Sequence, residues 1–249
     1  MLEEKCVICG TINKEWIFKE VLTKDLSLSW ELNDDQIKRI NQRETSGCSF
    51  CGNSARTRAL AKAVMKELNF GNDIIFDDWI EEANKRNYEV AEINSCGRLH
   101  AHLVKIPNLQ FSEYHSDDNA DIGDIPNENI LNLSYRDNSF DLVLHSETLE
   151  HVADYKKALS ECTRILKPGG VCIYTVPIIN GRNTKKCIEI DKEGALFYLK
   201  PPSYHGLSDD FLVFWEFGDD FPELSKSILI YSEPETLNYV FAVRKNQGE

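Results

Sequence analysis

Two short segments, CVICG at residues 6–10 and CSFCG at 48–52, each carry a pair of cysteines separated by two residues. Two thiolates at that spacing can fold back around one ion, and the glycine that follows permits the tight turn. Cys6, Cys9, Cys48 and Cys51 together suffice for the closed tetrahedral shell of a structural zinc site. A redox dithiol and an iron–sulfur cluster are the rival uses. A redox pair needs only one CxxC, beside a thioredoxin-like pattern that this chain lacks. The other cysteines, Cys96, Cys162, Cys172 and Cys187, are scattered. The start, MLEEKCVICG, has acids and a CxxC where a secretory leader needs an apolar core, so the pairs read as metal ligands rather than disulfides.

A second stretch with chemical potential is VAEINSCGRLH, residues 90–100. An apolar run ends in Glu92 and passes through Asn94, Ser95, Cys96 and Gly97 towards a helix. A loop that meets a nucleoside cofactor needs a backbone able to approach closely and to adopt positive φ. Asparagine tolerates that best among residues with a side chain, at a cost of about 1 kcal/mol. Cys96 is either a reactive thiol or a small filler, and the second reading is preferred. Glu113 follows and closes the next apolar run; an acid there can accept hydrogen bonds from both hydroxyls of a ribose.

These residues need elements to position them. Between the cysteine pairs, residues 10–47 are long enough for a small subdomain with short strands and the polar helix NDDQIKRINQRE. NSARTRALAKAVMKELNFG (53–71) reads as a linking helix: Asn53 or Ser54 caps it, Leu60, Val64 and Leu68 recur every four residues, and Gly71 suits its stop. Arg56 and Arg58 near its start are expected to be ion-paired or solvated rather than anion-binding. From about residue 74 the chain alternates. The helical DDWIEEANKRN precedes the strand YEVAEI (88–93); a short helix and the strand LQFSEY (109–114) follow the loop. FDLVLHS (140–146) reads as a buried strand. In ADYKKALSECTRIL (153–166), Tyr155, Ala158, Leu159, Cys162, Ile165 and Leu166 share one helical face, and KPGG leads into the strand VCIYTVP (171–177). Alternation of this kind predicts an α/β fold with a parallel sheet and right-handed crossovers. Ligands bind such sheets at the carboxyl ends of the strands, which places function in the loops after residues 93, 114, 130 and 145.

The 28 basic and 41 acidic side chains leave a net charge of −13, which repels phosphate backbones at long range and disfavours nucleic acid as a partner. No apolar run is long enough to span a bilayer, so a membrane partner is not expected either. The expected location is cytoplasmic. Oligomeric state has no signature in the sequence.

The segment NILNLSYRDNSFDLVLHSETLEHVADYKKALSECTRILKPGGVCIYTVP (129–177) resembles the second half of a class I S-adenosylmethionine-dependent methyltransferase, of the type 11-like kind. The match lies in the order of its parts: a polar residue with an apolar neighbour, DNSFDLV, LEHV, and a helix ending in RILKPGG before a strand. SYHGLSDDFLVFWEFG (203–218) resembles the region after the fifth strand in zinc-ribbon-bearing members, whose CxxCG also precedes an Arg-x-Arg helix, as in CGNSARTR. The resemblance implies a Rossmann-like, seven-stranded, mostly parallel sheet with a small N-terminal zinc-binding module. It implies three parts: a zinc-ribbon-like module (1–53), linking helices (54–87) and a methyltransferase domain (88–249).

The same resemblance assigns roles. Glu92 orients the loop and the methionine end of S-adenosylmethionine. Asn94, Ser95, Cys96 and Gly97 stand where a Gly-Ala-Ser-Gly spelling occurs, with the first glycine replaced. Glu113 takes the ribose, Asn129 the adenine amino group, and Ile130 packs against the ring. His145, Ser146 and Glu147 follow the fourth strand, where sulfonium and acceptor meet; His145 is a candidate to line the cofactor and act in catalysis. Glu150 and His151 are a family-typical pair that orients the helix. Tyr204 and His205 lie in an insertion expected to cover the acceptor, and His205 is the candidate general base for a hydroxyl acceptor. The acceptor class implied is a small molecule or a saccharide. An RNA methyltransferase is the alternative enzyme; it requires a basic face on residues 1–60, where Lys5, Lys14, Lys19, Lys24, Lys38, Arg39 and Arg43 are diluted by acids. A non-catalytic binding or scaffold protein is the alternative outside enzymes, motivated by Asn94.

Overall fold

The computed structural model describes residues 4–13, 15–70, 74–115, 123–205 and 211–248. Lys14, Gly71 and residues 206–210 of the insertion therefore lie outside the described residues.

Six strands form the central sheet: β1 (Val90–Ile93), β2 (Leu109–Ser112), β3 (Phe140–Ser146), β4 (Leu166–Thr175), β5 (Ile228–Glu233) and β6 (Asn238–Arg244). Their order is β5-β6-β4-β3-β1-β2. The pairs β1–β2, β1–β3 and β3–β4 are parallel, whereas β6 runs antiparallel to both β4 and β5. Beyond β2 the sheet continues as one parallel bridge, Glu113 to Asn127, at the place where a seventh strand is expected. The four parallel strands thus end along one edge, and order reverses between β1 and β3, which is where such sheets bind ligands.

Both faces of the sheet are covered. Leu142 and Leu144 of β3 join a cluster with Leu60, Val64, Phe76 and Trp79, whereas Val143 joins Leu159, Cys162, Phe217 and Phe221 on the opposite face. That division is the period-2 alternation of a strand. The helices are α1 (Lys24–Ser29), α2 (Asp34–Thr45), α3 (Ala55–Glu67), α4 (Phe76–Lys85), α5 (His100–Leu103), α6 (Tyr155–Ile165) and α7 (Phe221–Ser225), of which α3 to α7 supply these clusters. In α6, capped by Asp154, every residue of the apolar face read from sequence is buried. α2 opens with a reciprocal Asn33–Gln36 capping box, which explains why so polar a segment is helical. α3 starts at its Ser54 cap and stops earlier than its periodicity suggests, because Asn69 takes the left-handed φ of 59°.

The first 53 residues do not form a separate bead. Cys6, Ile8 and Cys48 lie in the same buried cluster as Leu60, Val64, Phe76 and Trp79. The Phe76 N–H that opens α4 donates to the Val7 carbonyl at 2.8 Å, and the next, from Asp77, reaches that of Ile8 at 3.3 Å. Farther on, α1 and α2 pack on the insertion between β4 and β5: Gln36 Nε2 donates to the Asn180 carbonyl at 2.9 Å, and Arg182 to that of Trp30 at 2.7 Å. Trp30, Ile179 and Val213 form a small core there. No helix among the described residues is long and apolar enough to cross a membrane.

Candidate active site

The loop after β1 is built by its own side chains. Glu92 is fully buried; one oxygen accepts from the Cys96 N–H at 2.8 Å and the other pairs with His100 Nδ1 at 2.6 Å. The Glu92 carboxylate lifts the His100 imidazole above its ordinary value, against the effect of burial. Asn94 adopts φ 57°, the left-handed conformation that the missing glycine would otherwise supply, and its side-chain oxygen accepts from the Tyr114 N–H at 2.9 Å. Ser95 N–H donates to Glu113 Oε1 at 3.1 Å, and Gly97 also has positive φ, 63°. Cys96 is fully buried, and burial followed by the Glu92 charge raises its thiol, so it fills space rather than reacting. Glu92, Asn94, Ser95, Cys96, Gly97 and Glu113 therefore form one connected group.

The segment expected to meet adenine lies beside it, since the Glu128 N–H donates to the Glu113 carbonyl at 2.9 Å. Asn129 is exposed, with its side-chain oxygen turned to the Leu131 N–H at 2.9 Å. Ile130 departs from expectation: it is buried in the core with Leu133, so it supports the segment from behind.

At the end of β3, Ser146 and the residues after it meet side chains from the N-terminal segment. Arg56 of α3 donates to Ser146 Oγ at 2.5 Å and pairs with Glu44 at 3.0 Å. Arg43 of α2 grips Glu147 with two nitrogens, at 2.6 and 3.0 Å, while Thr175 donates to the same carboxylate at 2.9 Å. Burial works to raise the Glu147 carboxyl, but the charges of Arg43 and Arg56 outweigh it and hold it at about 2. Arg56 is thus ion-paired as expected but mostly buried. Arg58 lies over the Trp16 ring at 3.8 Å. The pairing of Arg43 with Glu147 escaped sequence reading. Glu147 carries no local signal, and Arg43 sits in a helix whose docking partner lies far along the chain.

Glu150 follows, fully buried, and burial together with the Glu147 charge pushes its carboxyl well up. His205 lies near His151, ring centres 4.6 Å apart, and burial followed by His151 pushes its imidazole down to about 3. His145 is a second departure. Its side chain points away from that of Ser146 and is fully buried, stacked on Tyr174 at 4.7 Å and grouped with Cys162 and Cys172 under α6. Strand alternation is the cause: neighbouring residues of β3 face opposite sides of the sheet.

The two cysteine pairs converge. Cys6 Sγ lies 3.8 Å from Cys51 Sγ, Cys9 Sγ lies 3.7 Å from Cys48 Sγ, and all four lie within 4.8 Å of one another. Asn13 and Asn53 direct side-chain N–H groups at Cys48 and Cys51, at 3.5 and 3.4 Å. The cluster abuts the loop after β1. A Cβ on Gly52, which has φ 70°, would sit 2.8 Å from Cδ of Arg98, the neighbour of Gly97.

Residues 51–174 match the family model described as a methyltransferase domain. A demethylmenaquinone methyltransferase of Bacillus mycoides (strain KBAB4) is 45% identical over 162 residues, which cover 64% of this chain and 56% of that protein. A ubiquinone biosynthesis O-methyltransferase of Caulobacter vibrioides is 41% identical over 68 residues, 26% of this chain and 25% of that protein. The chain thus spans about a quarter of one relative and just over half of the other. Among solved structures, 1,6-didemethyltoxoflavin-N1-methyltransferase of Burkholderia thailandensis, with S-adenosylhomocysteine bound, aligns over 77% of this chain and 79% of its own. The identity there is 16% and the TM-score 0.45. The matched residues, 51–174, form a methyltransferase domain of the class I S-adenosylmethionine-dependent kind.

Proposed function

We propose that this protein transfers the methyl group of S-adenosylmethionine to a small-molecule acceptor. The observation that supports the reading is the loop after β1, whose altered residues take the conformation and contacts that a cofactor loop needs. Asn94 supplies the left-handed turn, Glu92 holds the Cys96 N–H, and Ser95 aims at Glu113. The residues fit the cofactor. Glu113 offers a half-buried carboxylate to the two ribose hydroxyls, and Asn129 offers the adenine amino group a second lone pair on its oxygen. The bound sulfonium supplies an activated methyl group. The chain's part is alignment and exclusion of water, with Ser146 at the strand end and His205 on the acceptor side. The relatives named for demethylmenaquinone and ubiquinone biosynthesis support a small organic acceptor; a saccharide is the second acceptor class carried from the sequence.

The four cysteines are assigned to one structural zinc ion. Tetrahedral zinc with Zn–S bonds of about 2.3 Å holds its sulfurs about 3.8 Å apart, and the measured 3.8 and 3.7 Å agree. All four positions are filled by protein, so that ion does no chemistry on the acceptor.

Titration calorimetry with S-adenosylmethionine tests the cofactor assignment. The protein should bind one equivalent per chain. Glu113→Ala should weaken binding tenfold or more, since tenfold corresponds to about 1.4 kcal/mol and a charge-assisted hydrogen bond exceeds that. No heat at millimolar cofactor overturns the reading.

A further inference from the structure

Glu150, His151 and His205 converge from two distant parts of the chain. Glu150 and His151 occupy the short turn Leu149–His151 after β3, and His205 comes from the insertion between β4 and β5. One carboxylate oxygen and one ring nitrogen from each histidine lie within 4.8 Å of one another. Glu150 has no exposed side-chain surface, and neither of its oxygens accepts a hydrogen bond among the described residues. Its nearest basic atom is His151 Nε2, 3.6 Å from Oε1. Neither nearby arginine is hydrogen-bonded to it: Arg43 pairs with Glu147 and Arg56 with Glu44.

The histidines are arranged as ligands. His151 Nδ1 lies 3.0 Å from the Leu212 carbonyl, so Nδ1 carries the proton and donates, leaving the Nε2 lone pair on the Glu150 side. A backbone carbonyl that fixes the far nitrogen in this way is the usual support of a metal-bound imidazole. His205 Nε2 is buried without a partner among the described residues, its ring steadied by the edge of Trp30 at 5.2 Å. Buried polar atoms without partners are uncommon. Here the orphans from Glu150 and His205 gather at one point, and each is a donor to a cation.

We infer that Glu150, His151 and His205 bind a divalent transition-metal ion, separate from the four-cysteine centre. Two imidazoles and a carboxylate suit zinc, iron(II), cobalt(II) or manganese(II), whereas four thiolates select softer ions. Three protein ligands also leave coordination positions open. On the methyltransferase reading, the insertion that supplies His205 covers the acceptor, and an oxygen of the acceptor would occupy one of those positions. That last extension, an oxygen rather than a carbon acceptor, rests on the methyltransferase reading; binding of the cation does not.

The test is a zinc titration of the full chain against a chromophoric chelator, starting from protein with its resident metal measured. Wild type should bind one further ion per chain. Glu150→Gln, which keeps the side-chain shape, and His205→Gln should each weaken that ion at least tenfold while the resident metal content stays constant. No further ion, or wild-type affinity in both variants, overturns the proposal. Cation binding without S-adenosylmethionine binding in calorimetry would sink the methyltransferase reading and leave the cation site standing; the reverse result would sink only the cation site.

Discussion

Asn94 meets two demands at once. Its backbone takes φ 57°, and its side chain satisfies the Tyr114 N–H at 2.9 Å, tying the first loop to the end of the second strand. Asn94→Ala forfeits both and should cost about 1–2 kcal/mol in urea unfolding. Asn94→Gly should recover the backbone share alone, and equal losses in the two variants would contradict this account. The loop was legible in the sequence because tolerance of positive φ belongs to the residue type. His145 was not. Both faces of the sheet are covered, so β3 is buried along nearly its whole length, and hydropathy does not tell which neighbour, His145 or Ser146, turns to the cleft.

At the scale of elements, α2 matters through where it docks. It lies between the cysteine pairs yet delivers Arg43 to Glu147, 104 residues away. Removing one partner of a buried ion pair strands the other charge, so Arg43→Ala should cost about 3–5 kcal/mol in denaturant melts. The double variant Arg43→Ala with Glu147→Ala should recover much of that loss; simple addition of the two single effects would show that the pair is not coupled. The helix itself was readable from Asn33 and Gln36, whose side chains cap it locally. Its destination was not, since nothing near Arg43 in the chain encodes a partner so remote. The same holds for His205, whose neighbours Trp30 and His151 come from distant parts of the sequence.

Over the whole molecule, the alternation of strands and helices was legible because each element carries its own periodicity. The division into a module of 53 residues, linking helices and a domain describes the sequence, but packing joins these parts. Cys6, Ile8 and Cys48 share a core with α3 and α4, and Gly52 leaves room for the Arg98 side chain beside the loop after β1. Metal in the cysteine site and cofactor in the cleft should therefore be linked. Stripping the cysteine-bound metal with a chelator should weaken S-adenosylmethionine at least tenfold in calorimetry, and restoring one equivalent of zinc should return it. Unchanged affinity in metal-free protein would show that the loop stands by itself. The carbonyls of Val7 and Ile8, which receive the first N–H groups of α4, also bear on the chain as it leaves the ribosome. All four sulfurs have emerged by residue 51, well before α4 begins at Phe76. A nascent chain that brings its two cysteine pairs together early holds a ready-made landing place for the helix still to be synthesised.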